Sequence, residues 1–325
     1  METLSQRIKH EATSLQFDAV GIARLSSTSL RPESSSSSLF HALSNWLAQG
    51  YNGTMEWMGK DPVRRSDPTK VLDGCQSLIC VGINYSSEFL ADETPGNGRI
   101  ARYAWGQDYH KIFKTKLKLL EKKIKELAPQ AVTRSYADTG PIMEKAWAQQ
   151  AGIGWIGKHS NLVSPTFGSW LLLGEILTTL ELDPDDPGTD LCGSCSLCIQ
   201  ACPTNAIPEP YVVDATQCIS YLTIEFRGAE EDISEELQRK IGNRIFGCDD
   251  CIDICPFNNN AQPTQETALL PASGILAPNL NTLTHLTPES FDQQFAQSPV
   301  RRAKLQGFLR NVSWAIKNHT RKKLN

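Results

Sequence analysis

The sequence predicts an α+β protein in three consecutive parts, and three observations lead to this fold class. Helical and strand-like patterns alternate between residues 2 and 180. Eight closely spaced cysteines then lie between residues 192 and 255, and an amphipathic helical segment closes the chain. We therefore divide the chain into a mixed α/β part (1–182), a cysteine-rich module (183–260) and a C-terminal helical, basic segment (261–325).

Hydrophobic periodicity places the individual elements. Apolar residues recurring on one face predict helices at 2–16, 39–49, 108–128, 143–150 and 300–318. Runs rich in β-branched residues predict strands at 19–23, 77–85 and 131–136, and two more within 161–180, joined by a turn at Ser164–Thr166. The serine run Ser34–Ser38 predicts a flexible loop. Cys75 and Cys80 flank or lie in the 77–85 strand, where a buried cysteine packs as a small apolar residue.

The composition indicates a cytoplasmic protein with reduced thiols. No apolar run approaches the roughly 18 to 20 residues that cross a bilayer, and charges interrupt the N-terminus where a signal peptide needs an apolar core. Cytosolic thiols stay reduced, so ten cysteines favour metal binding over disulfides.

The charges are unevenly distributed. The net charge of −4 argues against a protein that coats nucleic acid through its overall field. From Pro299 to the end, however, there are eight Lys or Arg residues and no acidic one, and Lys111–Lys125 carries seven lysines and one glutamate. Acidic residues concentrate at Glu181–Asp190 and Glu225–Glu236. Each of these charged segments is either a binding surface or a solvated helix face.

The cysteine spacing predicts two [4Fe–4S] clusters in a bacterial-ferredoxin-like module. The first run is C-x2-C-x2-C-x3-C followed by Pro203, in which the fourth cysteine ligates the other cluster. The second run is C-x2-C-x3-C followed by Pro256, and Cys218 can supply its missing member. Cluster one then takes Cys192, Cys195, Cys198 and Cys255, and cluster two takes Cys202, Cys218, Cys248 and Cys251. Structural zinc is the alternative, but it leaves the third cysteine and both Cys-Pro pairs unexplained.

Several further motifs resemble the epoxyqueuosine reductases. They are Ala104–His110 (AWGQDYH), Tyr136–Pro141 (YADTGP) with Glu144-Lys145, Gly154–Lys158 (GWIGK), Cys218–Glu225 (CISYLTIE) and Arg310-Asn311. With the cysteine module, the resemblance covers residues 2 to 318. It implies reduction of epoxyqueuosine to queuosine at the tRNA wobble position, by Co(I)/Co(II) cobalamin that is recharged through the two clusters. The family is related to the corrinoid reductive dehalogenases.

The resemblance also implies how cobalamin binds. The D-x-H-x-x-G signature of His-ligated cobalamin begins at Asp108-Tyr109-His110, but Phe113 replaces its glycine. This departure agrees with base-off binding and no histidine below the cobalt, so the N-terminal part is expected to be an α/β cobalamin-binding catalytic domain.

Residue roles follow from the same resemblance. Asp138 is expected to be the proton donor, with a pKa raised by enclosure beside the corrin; read locally, Asp-Thr-Gly-Pro indicates only a turn. The residues expected to contact cobalamin are Arg65, Tyr109, His110, Asp138, His159 and Ser220. The residues expected to contact tRNA are Lys145, Arg301 and Arg302.

Two other functions remain open from the sequence. One is a corrinoid reductive dehalogenase, although such enzymes usually need an export signal. The other is a ferredoxin-type electron carrier, which needs neither the Asp138 segment nor a cobalamin site. In the favoured reading the partners are epoxyqueuosine-containing tRNA and an unidentified low-potential electron donor, and the protein is a monomer. Some family members continue into a C-terminal helical-repeat domain that helps to bind the tRNA. This chain stops soon after the Arg310-Asn311 motif, so its tRNA affinity is expected either to be lower or to depend more on the terminal basic segment.

Overall fold

Helices surround a central antiparallel sheet in the computed structural model, which describes residues 2–25, 35–92 and 94–322. The helices are α1 (Leu4–Ser14), α2 (Ser35–Ala48), α3 (Pro62–Ser66), α4 (Tyr109–Leu127), α5 (Glu144–Gln150), α6 (Leu197–Ala201), α7 (Ile219–Ile224), α8 (Glu235–Ile241), α9 (Asp250–Asp253), α10 (Leu280–Leu283), α11 (Pro288–Gln294) and α12 (Lys304–Lys322). The strands are β1 (Ala19–Arg24), β2 (Ser77–Asn84), β3 (Arg99–Ile100), β4 (Thr133–Tyr136), β5 (Trp155–Ile156), β6 (Leu162–Val163), β7 (Leu171–Thr178) and β8 (Arg244–Phe246). Within the described ranges, no helix is both long and apolar enough to span a membrane.

The central sheet has the strand order β1–β2–β7–β4, and all its neighbouring strands are antiparallel. Every residue of β2 is buried, and its side chains alternate between two hydrophobic clusters. Ile79 and Val81 pack with α1 and α4, whereas Leu78 and Cys80 pack with α5. Because successive strand residues point to opposite faces, the sheet lies between two helical layers. β4 is an edge strand, and the loop after it carries Asp138.

Most of the predicted elements are present, and the burial of Cys75 and Cys80 is confirmed. Helix α4 illustrates how the apolar spacing in the sequence predicts a helix. The Asp108 side chain caps its N-terminus by accepting a hydrogen bond from the backbone N–H of His110. Its buried face consists of Phe113, Leu117, Leu120 and Ile124, which recur at helical spacing.

One local prediction is wrong, and another is confirmed. The serine run is helical from Ser35 through Ser38, and Ser34 lies outside the described residues. Serine is favoured at helix N-termini, so the helix that the apolar pattern predicts from Leu39 extends back into the run. The two strands within 161–180 are confirmed as β6 and β7, with a turn directly after Ser164; β6 pairs with β5, and β7 lies between β2 and β4.

The C-terminal helices pack on the cysteine-rich module and on the N-terminal part. β3 pairs in parallel with β8, which leads directly to Cys248. Trp105 and Phe246 belong to one hydrophobic cluster with Phe308 and Val312 of α12. Apolar packing therefore crosses both sequence boundaries, and the division of the chain at residues 182 and 260 stays a prediction.

Candidate active site

The eight module cysteines lie in two groups. Burial, and then the neighbouring Cys192 and Cys195 thiols, raises the pKa of both Cys198 and Cys255. Burial, and then the thiols of the second group, raises the pKa of Cys251 far above its usual range. The structure thus brings together Cys192, Cys195, Cys198 and Cys255 on one side, and Cys202, Cys218, Cys248 and Cys251 on the other. These are the two sets that the spacing predicts; their role as cluster ligands stays a prediction.

The number of thiols in each group bears on the kind of cofactor that the group suits. A [4Fe–4S] cubane takes four cysteine thiolates, one on each iron atom. Each of the two groups has four cysteines, which is the number that one cluster needs.

Hydrogen-bond donors lie beside the sulfurs. The Trp155 indole N–H donates to Cys192 Sγ at 3.4 Å, and the Ala206 backbone N–H donates to Cys202 Sγ at 3.2 Å. The Lys158 ammonium donates to the carbonyls of Gly193 and Cys195, at 2.6 and 2.8 Å, and thereby fixes the first cysteine loop. Hydrogen bonds to sulfur tune the reduction potential of a cluster.

Two cavities meet next to Asp138. The inner cavity, of about 460 Å³, is lined by the four cysteines of the second group. The outer cavity, of about 1050 Å³, is lined by Arg301 and Arg302 on one side and by the N-terminus of α4 on the other. Tyr103, Tyr109 and Asp138 line both cavities. An electron or a proton that moves between the two cavities would therefore pass these three side chains.

Asp138 is held by a short polar network. Its backbone has φ +60°, a left-handed conformation that Asp tolerates better than most residues. The Tyr109 hydroxyl donates to Asp138 Oδ2 at 2.9 Å, and His110 Nε2 lies 3.3 Å from the same oxygen. The other ring nitrogen of His110, Nδ1, lies 2.7 Å from Asp108 Oδ1. The imidazole therefore connects two carboxylates, one at the α4 N-cap and one in the cavity.

The expected raised pKa of Asp138 is wrong for this structure. Hydrogen bonding from His110 is the main cause that lowers the pKa of Asp138; burial opposes it, and the Tyr109 hydrogen bond adds to it. Burial alone would lower the pKa of His110, but hydrogen bonds to Asp108 and Asp138 outweigh burial and raise it to about 9. At neutral pH the network is therefore an imidazolium between two carboxylates.

Two further acids lie close to Asp138, one partly exposed and one fully buried. Burial raises the pKa of Glu144, at the start of α5, to about 7, and Glu144 lines the inner cavity. Glu175, in the middle of β7, is 1% exposed, and neither of its carboxyl oxygens has a hydrogen-bond partner in the described structure. Burial, and then the nearby Glu144 and Asp138, raises the pKa of Glu175 far above its usual range. Burial without a hydrogen-bond partner therefore favours the neutral form of the Glu175 carboxyl group.

Comparisons with known proteins agree with this geometry. Residues 65–139 match the family model "Epoxyqueuosine reductase QueG, DUF1730", and residues 191–258 match the "4Fe-4S double cluster binding domain". An epoxyqueuosine reductase from Gloeobacter violaceus is 41% identical over 320 residues, which cover 97% of this chain and 97% of the relative. One from Synechocystis sp. is 44% identical over 271 residues, or 83% of this chain and 92% of the relative. The chain belongs to the epoxyqueuosine reductase family.

Solved structures of epoxyqueuosine reductases show the same fold. One is bound to an epoxyqueuosine-modified tRNA-Tyr stem loop; it is 29% identical, with a TM-score of 0.87 over 97% of this chain and 81% of that chain. Another, from Bacillus subtilis, has its catalytic aspartate loop swung out of the active site; it is 29% identical, with a TM-score of 0.86 over 97% of this chain and 82% of that chain. As an epoxyqueuosine reductase, the chain is an oxidoreductase with a 4Fe–4S cluster-binding domain.

The residues expected to contact cobalamin divide between the cavities. Tyr109, Asp138, His159 and Ser220 line the inner cavity, whereas Arg65 and His110 line only the outer one. His159 is 4% exposed, and burial, followed by the charge of Lys145, lowers its pKa to about 4. Its imidazole is therefore neutral at physiological pH.

Two of the three residues expected to contact tRNA line the outer cavity, and both already pair with acids. Arg301 lies 3.2 Å from Asp292, and Arg302 donates two hydrogen bonds to Glu225, at 2.7 and 2.9 Å. The basic C-terminal segment is thus not free of acidic neighbours in space, although its sequence contains none. Lys145 lines the inner cavity instead, and its ammonium donates to Ser160 O and Asn161 Oδ1 at 2.9 and 2.8 Å.

The Arg310-Asn311 motif connects the C-terminal helix to the second cysteine group. Asn311 is fully buried, and its amide donates to the carbonyls of Thr223 and Ile245, at 2.7 and 3.0 Å. These carbonyls lie on α7, which follows Cys218, and on β8, which precedes Cys248. Arg310 donates to Leu222 O and to two further carbonyls after α7. In this epoxyqueuosine reductase, α12 therefore fixes the two segments that present Cys218 and Cys248.

Replacing Asn311 by leucine is expected to release iron from the second cysteine group. Two buried carbonyls would lose their donor, at a cost of about 1–3 kcal/mol each. Iron content and urea unfolding measure the two effects. Asn318→Leu is the matched control, because the Asn318 amide also donates to two carbonyls, Gln238 O and Gly242 O, neither of which adjoins a cysteine. Equal iron loss in both variants would contradict a specific role for Asn311.

Sequence reasoning missed part of the network around Asp138. Asp108 was read only as the start of a cobalamin signature, whereas it orients His110. Glu175 interrupts an otherwise apolar strand, and a lone acid in such a strand is the signal that could have found it. Tyr103 gave no signal, because its position between the cavities depends on tertiary packing.

Proposed function

We propose that this epoxyqueuosine reductase reduces epoxyqueuosine to queuosine in the anticodon of tRNA, with cobalamin in the inner cavity and electrons supplied through two [4Fe–4S] clusters. The observation that carries the proposal is the position of Asp138, where the outer cavity meets the inner cavity lined by four cysteines. A proton source and an electron path converge there. The relative bound to an epoxyqueuosine-modified stem loop supports the substrate, and the catalytic aspartate loop of the Bacillus subtilis enzyme supports Asp138.

The inner cavity has a lining that suits cobalamin. Leu171–Leu173 and Tyr85 provide apolar and aromatic surface for a planar macrocycle, and Asn161 and Ser220 provide polar groups for its amide side chains. Both ring nitrogens of His159 have partners, since Nδ1 accepts from Asn161 N at 3.1 Å and Nε2 lies 3.3 Å from Ser169 Oγ. This favours binding without a histidine ligand to cobalt. When bound, cobalamin supplies a strongly reducing centre that the clusters recharge one electron at a time.

Removal of the epoxide oxygen consumes two electrons and two protons and gives an alkene and water. The oxygen is a poor leaving group unless a positioned acid protonates it as the C–O bonds break. Asp138 is the acid that reaches both cavities, but its carboxylate is ionised at rest. The His110 imidazolium, 3.3 Å away, passes its proton to Asp138 as Asp138 protonates the oxygen. The second proton reaches the departing oxygen from solvent, because the outer cavity opens to water.

The outer cavity receives the modified nucleoside. It opens to solvent and is bordered by Arg301, Arg302 and Lys304, which suit the phosphates of an anticodon loop. Asp292 and Glu225 orient Arg301 and Arg302, and the guanidinium N–H groups that these pairs leave over can donate to RNA phosphates.

Anaerobic absorption spectroscopy tests this function against the two alternatives. The protein is incubated with cobalamin, desalted and assayed for tRNA binding. Retained corrin together with tRNA binding supports an epoxyqueuosine reductase. Corrin without tRNA binding would indicate a dehalogenase-like enzyme, and retention of neither would indicate an electron carrier.

The rate of epoxide reduction should fall as the pH rises through about 9. Below this pKa, His110 carries the proton that Asp138 passes on; above it, the donor form is lost, and the single-turnover rate should fall about tenfold per pH unit. His110→Gln should lower the rate at pH values below about 9 and should abolish the fall in rate above that pH. An unchanged pH profile in His110→Gln would show that the proton comes from elsewhere.

A further inference from the structure

Five lysines form a straight row on α4. Lys111, Lys114, Lys118, Lys122 and Lys125 are spaced by three or four residues, so they share one face of the helix. All five are exposed, and they lie opposite the buried face that includes Phe113 and Leu120. At a rise of 1.5 Å per residue the row is about 21 Å long, with about 5–6 Å between successive lysines. We call these five residues the lysine stripe.

Two acids flank the lysine stripe: Glu121 and Glu126 line one surface cavity together with Lys118, Lys122 and Lys125. Lys122 lies 3.9 Å from Glu126, and both side chains are exposed, so this pair contributes little. The other four have no carboxylate within ion-pair distance in the part of the chain that the structure describes. By contrast Lys116, which is off the stripe, pairs with Glu266 at 2.8 Å. Arg301 and Arg302 are also paired, so the stripe is the freer cationic surface.

The lysine stripe begins at the active site. Lys111, in the first turn of α4, lines the outer cavity together with Asp138, and the other lysines continue away from it along the helix. We propose that the lysine stripe binds successive backbone phosphates of the tRNA whose modified nucleoside occupies the outer cavity. This inference rests on the proposed function. Phosphate binding by the lysine stripe explains how a protein with a net charge of −4 binds a large polyanion.

An RNA strand fits the lysine stripe better than an acidic electron-carrier protein does. The regular spacing matches a linear array of charges, and the stripe is continuous with the substrate cavity. A carrier must approach a cluster, whereas the lysine stripe runs along α4 away from the cavities, and α4 packs against α1, β4 and β7. Lysine also binds phosphate as a simple point charge, without a fixed bidentate geometry.

Salt-dependent RNA binding tests the inference on the full-length holoenzyme. The test variant combines Lys114→Gln, Lys118→Gln, Lys122→Gln and Lys125→Gln, and leaves Lys111 in the cavity unchanged. The matched control removes the same charge elsewhere, through Lys60→Gln, Lys70→Gln, Arg239→Gln and Lys240→Gln. Each lost phosphate contact reduces the slope of log K against log salt by about 0.7–0.9, so the test variant should lose about three units with a full-length tRNA. The control variant should keep the wild-type slope.

A short anticodon-loop oligonucleotide distinguishes the cavity from the stripe. It should bind the test variant and the wild-type protein equally, because it is too short to follow α4. Unchanged tRNA affinity and slope in the test variant would overturn the inference while leaving the proposed function intact. Slower reduction by a protein electron donor, with tRNA binding unchanged, would assign the stripe to that donor and also overturn it. Failure of the wild-type protein to bind any tRNA would instead contradict the proposed function.

Discussion

Asp138→Asn is expected to lose most epoxide reduction while it keeps both clusters and the cofactor cavity. The amide has nearly the shape of the carboxylate, and asparagine tolerates the left-handed backbone at this position. It can still accept the Tyr109 hydrogen bond, but it cannot relay a proton from His110 to the epoxide oxygen. General acid catalysis typically contributes roughly 10²- to 10⁴-fold in rate, so a loss in this range is expected.

Single-turnover assays with prereduced enzyme isolate this effect from electron delivery. Asp186→Asn serves as the control, because Asp186 is an exposed aspartate outside both cavities. Iron content and retained corrin should match the wild-type values in both variants. Full activity in Asp138→Asn would show that Asp138 only shapes the turn.

The second large effect is the loss of one cluster, which we expect when a cysteine that lies with the group of the other run is replaced. Cys202 belongs to the first run but lies with the second group, and Cys255 belongs to the second run but lies with the first group. Cys202→Ala should therefore remove the cluster that lines the inner cavity, and Cys255→Ala should remove the other. Each variant should keep about four of about eight iron atoms.

Iron analysis and electron paramagnetic resonance measure these losses. The Cys75→Ala, Cys80→Ala double variant is the control, because both thiols are buried in the hydrophobic layer around α5. It should keep all of its iron. Iron loss in the control, or loss of the opposite cluster in either single variant, would contradict the ligand assignment.

The sequence predicted those parts of the structure that depend on local patterns. Helix α4 follows from its apolar spacing and its Asp108 cap, and the two cysteine groups follow from the rule that a fourth cysteine crosses to the other cluster. The prediction of a loop at the serine run is wrong, because a serine-rich composition does not show whether the helix predicted from Leu39 extends back into the run.

The remainder of the site depends on contacts between distant segments. The pKa of Asp138 could not be predicted, because its direction depends on His110, 28 positions earlier in the chain. The partners of Arg301 and Arg302 were equally hidden, since Asp292 and Glu225 reach them only through tertiary packing. The Arg310-Asn311 motif was visible from the resemblance, but its connection to Cys218 and Cys248 appears only in the fold.

Mass analysis of anticodon nucleosides tests the central claim most directly. The holoenzyme, loaded with cobalamin and reduced anaerobically, is incubated with tRNA that contains epoxyqueuosine, and the tRNA is then digested to nucleosides. We expect a product lighter than epoxyqueuosine by one oxygen atom, formed by the wild-type enzyme and nearly absent with Asp138→Asn. Unchanged epoxyqueuosine after incubation with the fully loaded wild-type enzyme would contradict that claim.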